Sequence, residues 1–214
     1  VIPNNVTFGN DYLGIVVTGP NTGGKTVLLK TVGLLCGMVK YGLLIPADSD
    51  SNVMIYDQIF CDIGDDQSIE SNLSTFSSHM QNITKIIDSV TPNSLVLFDE
   101  IGSGTDPIEG SNLAKSILKY LIDHNVSFIT TTHYSQLKAF AFDEPKIVNA
   151  SMEFDQNTLS PTYHLLLGVS GSSNAFNIAK KLGLKEEIIK NAKKITITSD
   201  DDIRKLIFKL EKQS

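Results

Sequence analysis

The segment from Gly19 to Thr26 has the composition and spacing of a phosphate-binding loop. It reads Gly-Pro-Asn-Thr-Gly-Gly-Lys-Thr, with a strongly apolar stretch directly before it. In such a loop glycines let backbone N–H groups wrap the phosphates, the lysine neutralises β- and γ-phosphate oxygens, and the threonine hydroxyl binds Mg²⁺. We therefore predict ATP and Mg²⁺ as cofactors. The predicted nucleotide-binding residues are Gly19, Pro20, Asn21, Thr22, Gly23, Gly24, Lys25 and Thr26.

Two acidic residues, Asp99 and Glu100, follow the short apolar run from Ser94 to Phe98. A continuous apolar run of this length is typical of a central strand that is buried on both faces. In a nucleotide site the first acid would hold the Mg²⁺ shell and the second would polarise the attacking water. This division of roles predicts an ATP hydrolase. The alternative is a strand end whose two carboxylates are merely solvated.

His133 follows another apolar and threonine-rich stretch, Phe128 to Thr132. Because parallel strands end at the same edge of a sheet, we predict that His133 lies beside the γ-phosphate and senses it. The other histidines lack this context, and we assign them by default to the surface or to packing; they are His79, His124 and His164.

The elements that must position these residues follow from apolar periodicity. Apolar and amphipathic stretches alternate, which favours an α/β fold: a mostly parallel sheet flanked by helices, with an antiparallel edge. Strands are predicted at 12–18, 53–60, 94–98 and 126–131, and an antiparallel pair at 147–154 and 162–167. Helices are predicted at 25–41, 75–90, 108–123, 174–182, 185–195 and 202–212. In the helix at 108–123, Leu113, Ile117 and Leu121 are expected to face the core.

Composition limits the functions that this chain can perform by itself. It has 214 residues, 41% of them hydrophobic, and a formal net charge of -6. The negative charge argues against a nucleic-acid-binding surface within it, because phosphate backbones attract basic faces. The apolar run from Thr31 to Pro46 is too short to span a bilayer. Cys36 and Cys61 are expected to be buried thiols in a reducing compartment, the cytoplasm. The start at Val1, without a methionine, suggests a piece of a longer protein.

Four motifs together resemble the ATPase domain of the MutS family, within the ATP-binding-cassette superclass. They lie at 19–26, 74–80, 99–107 and 131–137, so the resemblance covers almost the entire chain. The runs at 62–70 and 173–176 look more like the second bacterial MutS subfamily than the mismatch-repair branch. The resemblance implies a P-loop NTPase fold of ABC type with a C-terminal helical dimerisation element. In that subfamily the ATPase domain follows a DNA-clamp-like core and precedes a C-terminal Smr endonuclease domain.

The resemblance also assigns roles to residues that spacing alone leaves open. Ser74 would complete the partner subunit's site by facing the opposite γ-phosphate, and it would act in catalysis with Lys25, Glu100 and His133. Gln67 would reach the metal or the attacking water; the alternative is a polar loop residue. Tyr163 or His164 would stack on the adenine. The family's other stacking position falls near residues 1–3, where this chain has no aromatic residue.

The family's organisation divides the chain into three predicted parts. These are an ABC-type ATPase domain at 1–170, a helix-turn-helix dimerisation element at 171–198, and an amphipathic tail helix at 199–214 that leads to further domains. The implied assembly is a homodimer that sandwiches two ATP molecules and also pairs through its C-terminal helices.

The implied substrates of the whole protein are branched or mismatched DNA, with suppression of recombination, or stalled ribosomes contacted at their rRNA. Two other functions remain open. One is a nucleotide-regulated dimerisation module that does not hydrolyse ATP. The other is a chromosome-structural or DNA-break ABC ATPase, although those proteins carry a Leu-Ser-Gly-Gly-type signature and this chain has the MutS-like Ser74-Thr75-Phe76.

Overall fold

The computed structural model describes residues 2–9, 11–20, 23–64, 75–155, 158, 160–169, 171 and 175–195. The chain divides into two compact units, residues 1–172 and 173–214.

A six-stranded sheet forms the centre of the first unit. Its strands are β1 (Gly14–Thr18), β2 (Gln58–Asp62), β3 (Ser94–Phe98), β4 (Ser127–Thr131), β5 (Ile147–Asp155) and β6 (Ser160–Leu167). Their order across the sheet is β2-β3-β4-β1-β5-β6. All neighbours pair in parallel except β5 and β6, which are antiparallel. The predicted α/β fold, with a mostly parallel sheet and an antiparallel edge, is confirmed.

Four helices connect and cover these strands. They are α1 (Lys25–Lys40), α2 (Thr75–Ser89), α3 (Pro107–Asp123) and α4 (Ser135–Asp143). Among the helices described, none has both the length and the apolar character needed to cross a membrane.

Side chains of successive strand residues point to opposite faces of the sheet, so each strand contributes to two apolar layers. Val16 and Phe98 lie in one layer, which is covered by α2, α3 and α4. Ile15 and Leu97 lie in the other layer, against α1. β1, β3 and β4 are buried along their whole length. The side chains available to contact a ligand are therefore those that follow the carboxyl ends of these strands.

Several local predictions were wrong, and each error has a physical cause. The second strand is Gln58–Asp62 rather than 53–60, because the segment before residue 58 is irregular and Tyr56 is its one buried side chain. Cys61 is exposed, since β2 is an edge strand, whereas Cys36 is buried as predicted. Leu113 is 40% exposed, because α3 faces the core through Ala114 and Leu118 instead.

The predicted Ile117 and Leu121 are partly and fully buried, respectively. The short helix α4 was not predicted at all. Only Leu137 and Ala141 of its nine residues are buried, which gives too few apolar positions for a periodic pattern.

Asn4 ties the N-terminal segment to the outer strand β6. Its side-chain nitrogen donates to Tyr163 O at 3.0 Å, and its side-chain oxygen accepts from Leu165 N at 2.6 Å. The amide of Asn4 therefore occupies the place of a strand's peptide group at this edge of the sheet.

The second unit contains α5 (Ala175–Lys181) and a further helical stretch over residues 186–195. Gly183, with φ of +88°, lies in the turn between them. Lys193 Nζ lies 5.7 Å from the centre of the Phe176 ring, and this contact joins the two helical stretches. The predicted tail helix at 202–212 lies outside the described residues.

Candidate functional site

The predicted phosphate loop connects β1 to α1, as its sequence requires. Gly19 and Gly24 have φ of +118° and +92°, a region that glycine adopts without steric cost. A side chain at Gly23 would also come within 3.1 Å of Met152 Cβ. The helix α1 begins directly after the loop, so its N-terminal N–H groups face the space where phosphates would bind. Asn21 and Thr22 lie outside the described residues.

Lys25 is buried at the base of this loop. Its side chain is 1% exposed, and Nζ donates a hydrogen bond to Gly19 O at 2.9 Å. Burial lowers the pKa of Lys25, while the negative charges of Glu100 and Asp99 act in the opposite direction. The ammonium group is thus held inside the loop, where a phosphate oxygen would compete with Gly19 O for it.

Thr26 and Asp99 meet at the end of the loop. Thr26 Oγ1 donates to Asp99 Oδ2 at 2.6 Å, and Thr131 Oγ1 donates to Asp99 Oδ1 at 2.5 Å. Hydroxyl and carboxylate oxygens are the hard donors that Mg²⁺ prefers, and this metal often takes only one or two protein ligands beside phosphates and water. The residues at this position fit the predicted Mg²⁺.

Glu100 and His133 come together from β3 and β4. The His133 Nε2 atom lies 2.9 Å from Glu100 Oε1, and both side chains remain partly accessible at 47% and 35%. Glu100 has φ of +52°, which is uncommon for a residue with a side chain. The pair lies at the same sheet edge as Asp99, where a base and a proton donor could both reach a bound γ-phosphate or its attacking water.

The loop after Glu100 is packed tightly against the start of α3. Asp106 caps this helix by accepting from Ile108 N at 2.9 Å and Glu109 N at 3.1 Å. Tyr134, which follows His133, donates its hydroxyl to Gly102 O at 2.8 Å. A side-chain carbon at Gly110 would collide with that same Gly102 carbonyl. The loop can lie this close to α3 only because Gly110 has no side chain.

We expect Gly110→Ala to destabilise the protein by about 1–3 kcal/mol, since overpacking forces the backbone to shift. Displacement of the loop should also slow ATP turnover. Gly37→Ala is the matched control, because Gly37 also lies within a helix but has open space where the methyl group would be placed. That change should stabilise by about 0.5–1 kcal/mol. Thermal unfolding and phosphate release measure both effects; a Gly110→Ala variant as stable as the wild type would contradict the packing argument.

Asp62, His79 and Asn82 form a cluster that the sequence analysis missed. Asp62 ends β2 and is buried; it contacts His79 Nδ1 at 2.7 Å and accepts from Asn82 Nδ2 at 2.9 Å. The main chain of Asp62 also accepts from Asp99 N at 2.9 Å. The default assignment of His79 to surface or packing overlooked this bond. The available signal was the spacing of His79 and Asn82, which places both on one face of a helix.

Tyr163, one of the two adenine-stacking candidates, lies beside the phosphate loop. It has φ of +63°, and its ring is 3.1 Å from the point that a Cβ on Gly24 would occupy. Both Tyr163 and His164 are exposed. The structure thus places an accessible aromatic ring beside Gly24. Ser74 and Gln67 lie outside the described residues, although α2 begins at Thr75, immediately after Ser74.

Known proteins resemble this chain along nearly all of its length. Residues 15–199 match the family model of MutS domain V. The chain is 55% identical over 211 residues to the "Endonuclease MutS2" of Finegoldia magna, and 55% identical over 212 residues to that of Brevibacillus brevis. Identity to the protein of the same name from Staphylococcus saprophyticus is 51% over 214 residues. These matches cover 99–100% of this chain, which spans about 27% of the length of each relative.

Proposed function

The chain belongs to the MutS family, as the P-loop ATPase domain called domain V, and on that premise we propose that it binds ATP with Mg²⁺ and hydrolyses it. The observation that carries the proposal is the 2.6 Å hydrogen bond between Thr26 and Asp99. It joins the phosphate loop to the end of β3, where Thr26 and Asp99 would hold a Mg²⁺ ion that neutralises phosphate charge. Lys25, buried beneath the same loop, supplies the positive charge.

Glu100 and His133 carry the chemical step in this proposal. Glu100 accepts a proton from the water that attacks the γ-phosphorus, so the P–O bond to ADP breaks and inorganic phosphate leaves. His133, at 2.9 Å from Glu100, orients that carboxylate and contacts the γ-phosphate. Their partial exposure supports the proposal, because the attacking water must reach Glu100.

We further propose that the site is shared between two copies of the chain. The start of α2 at Thr75 supports a role for Ser74, since a helix N-terminus attracts phosphate and Ser74 immediately precedes it. Ser74 of the second copy would face the γ-phosphate held by the first. The loop at 102–106, fixed by Tyr134 and by the cap of α3, would line the seam between the copies. The predicted element at 171–198 would hold the dimer together.

For the whole protein, we propose an action on nucleic acid that this domain drives. The relatives are named endonucleases, and this chain accounts for about 27% of their length. The net charge of -6 supports contacts with nucleic acid outside this domain. Branched or mismatched DNA is the proposed substrate, gripped by a clamp whose shape changes with hydrolysis. If ribosomes and not DNA stimulated ATP turnover, the proposed substrate would be the ribosome.

The test is phosphate release by the full-length protein, with light scattering in parallel. We expect phosphate release to require Mg²⁺ and to stop when a chelator is added. We also expect the molecular mass to rise when ATP is present. Branched DNA should stimulate turnover more than linear duplex or purified ribosomes do. A wild-type protein that binds ATP but never releases phosphate would favour the nucleotide-regulated module. An unchanged mass with and without ATP would count against the shared site.

A further inference from the structure

We propose that Thr131 is a positioning residue that couples the metal-binding carboxylate of Asp99 to the base Glu100. The inference rests on the proposed function, because it concerns how that site is held together. Thr131 ends β4, is fully buried, and was not identified from the sequence. Its hydroxyl forms one hydrogen bond with each of the two acidic residues.

The direction of the two hydrogen bonds follows from chemistry. An ionised carboxylate can only accept, so Thr131 Oγ1 donates its single proton to Asp99 Oδ1 at 2.5 Å. A backbone N–H can only donate, so Glu100 N donates to the same Oγ1 at 2.8 Å. Each of these hydrogen bonds polarises the Thr131 hydroxyl and so strengthens the other hydrogen bond. A valine at this position would have nearly the same shape and would lose both bonds.

The first consequence concerns the orientation of Asp99. Its two carboxylate oxygens accept from different elements: Oδ2 from Thr26 of the phosphate loop and Oδ1 from Thr131 of β4. Rotation of a carboxylate about its last side-chain bond is otherwise soft. With Thr131 in place, the plane of the carboxylate is fixed from both sides. Without it, the hydrogen bond from Thr26 would hold only one of the two oxygens, and the carboxylate could rotate.

The second consequence concerns the backbone of Glu100. A left-handed conformation in a residue with a side chain costs about 1–3 kcal/mol and persists only where surrounding contacts enforce it. At Glu100 these contacts include the bond from its N–H to Thr131 and the bond from Ser103 N to its carbonyl, at 3.0 Å. Removal of the hydroxyl would favour relaxation of this backbone, and the Glu100 carboxylate would move away from His133.

Three variants of the full-length protein separate this role from general packing. Thr131→Val removes the hydroxyl, and Thr131→Ser retains it. Thr130→Val is the matched control: Thr130 is the preceding residue of the same strand, is also fully buried, and its hydroxyl contacts only the main-chain oxygen of Thr131 among the described residues, at 3.3 Å. Steady-state phosphate release over ranges of ATP and Mg²⁺ concentration gives kcat, KM and the half-saturating Mg²⁺ concentration for each.

We expect Thr131→Val to lower kcat about 10–100-fold and to raise the half-saturating Mg²⁺ concentration, as is typical when a partner of a metal ligand is removed. The KM for ATP should change less than about threefold, because the phosphate loop is untouched. Thr131→Ser should restore most of kcat, and Thr130→Val should behave as the wild type. If Thr131→Val does not fold, Thr131→Ala replaces it with the same expectations.

An unchanged kcat in Thr131→Val would overturn the inference, and so would equal losses in Thr131→Val and Thr131→Ser. A wild-type protein without turnover would instead contradict the proposed function. In that case the Mg²⁺ requirement of ATP binding, followed by thermal shift, still tests Thr131. Thr131→Val should then need more Mg²⁺ than the wild type and Thr130→Val, and an equal requirement would refute the positioning role.

Discussion

The Glu100→Gln variant should bind ATP with wild-type affinity and release phosphate about 10²–10⁴ times more slowly, the usual contribution of a general base. Glutamine has the same shape as glutamate and can keep a hydrogen bond to His133, which lies 2.9 Å away. It cannot accept the proton of the attacking water. Because Thr26, Lys25 and Asp99 are unchanged, binding should be preserved while the chemical step fails. Calorimetry with ATP and single-turnover phosphate release measure the two quantities.

The same variant should also accumulate as an ATP-bound dimer, since in the proposed shared site the nucleotide lies between the two copies and this variant would not hydrolyse it. Light scattering with ATP and Mg²⁺ would detect the added mass. Glu109→Gln is a suitable control, because Glu109 is an exposed acid in the first turn of α3. Turnover at the wild-type rate in Glu100→Gln would remove Glu100 from the role of base.

Lys25→Met should abolish the stabilisation that ATP gives the wild-type protein. A ligand at 100 times its Kd stabilises a protein by about 2.7 kcal/mol, a rise in Tm of roughly 5–11 °C for a domain of this size. Without the ammonium group the phosphates lose their buried positive partner, so the variant should show little or no rise. Differential scanning fluorimetry with and without ATP and Mg²⁺ measures this directly.

In the absence of nucleotide, Lys25→Met should be at least as stable as the wild type. Burial lowers the pKa of Lys25 below its unfolded value, so the charged form costs stability at neutral pH, and the cost vanishes only at alkaline pH where lysine is neutral in both states. Methionine removes the charge and keeps the length. Lys30→Met, on the exposed face of α1, controls for the loss of a positive charge elsewhere. A full ATP-induced shift in Lys25→Met would mean that the lysine does not bind phosphate.

Much of the fold was predictable because its central strands have a simple pattern. The run Ser94–Phe98 is apolar at every inner position and is a strand over that range. The phosphate loop was predictable for a different reason, since glycine adopts the left-handed backbone conformations at Gly19 and Gly24 without steric cost. The resemblance to the MutS family, based on four motifs, is confirmed by the match to domain V. The roles of individual site residues remain predictions.

The sequence could not reveal contacts between distant elements. Apolar periodicity reports which residues are buried, but it does not report which strands are neighbours, so the strand order had to come from the structure. For the same reason the sequence does not distinguish Thr131 from other β-branched strand residues. Its role follows from its hydrogen bonds to Asp99 and Glu100 in the structure. Asp62 and His79 are 17 positions apart, and the spacing of His79 and Asn82 along a helix does not indicate that their partner, at 2.7 Å from His79, is Asp62.

The hydrogen bonds of Asn4 also bear on how this domain resists aggregation. The outer strand of a sheet exposes unpaired N–H and C=O groups, which can recruit a strand from another molecule. Asn4 satisfies one group of each kind on β6 with a side chain, and a side-chain amide cannot propagate a ladder as a further strand would. A domain shortened past Asn4 would present those two groups to its neighbours. The first few residues are therefore expected to protect the β6 edge against pairing with another molecule.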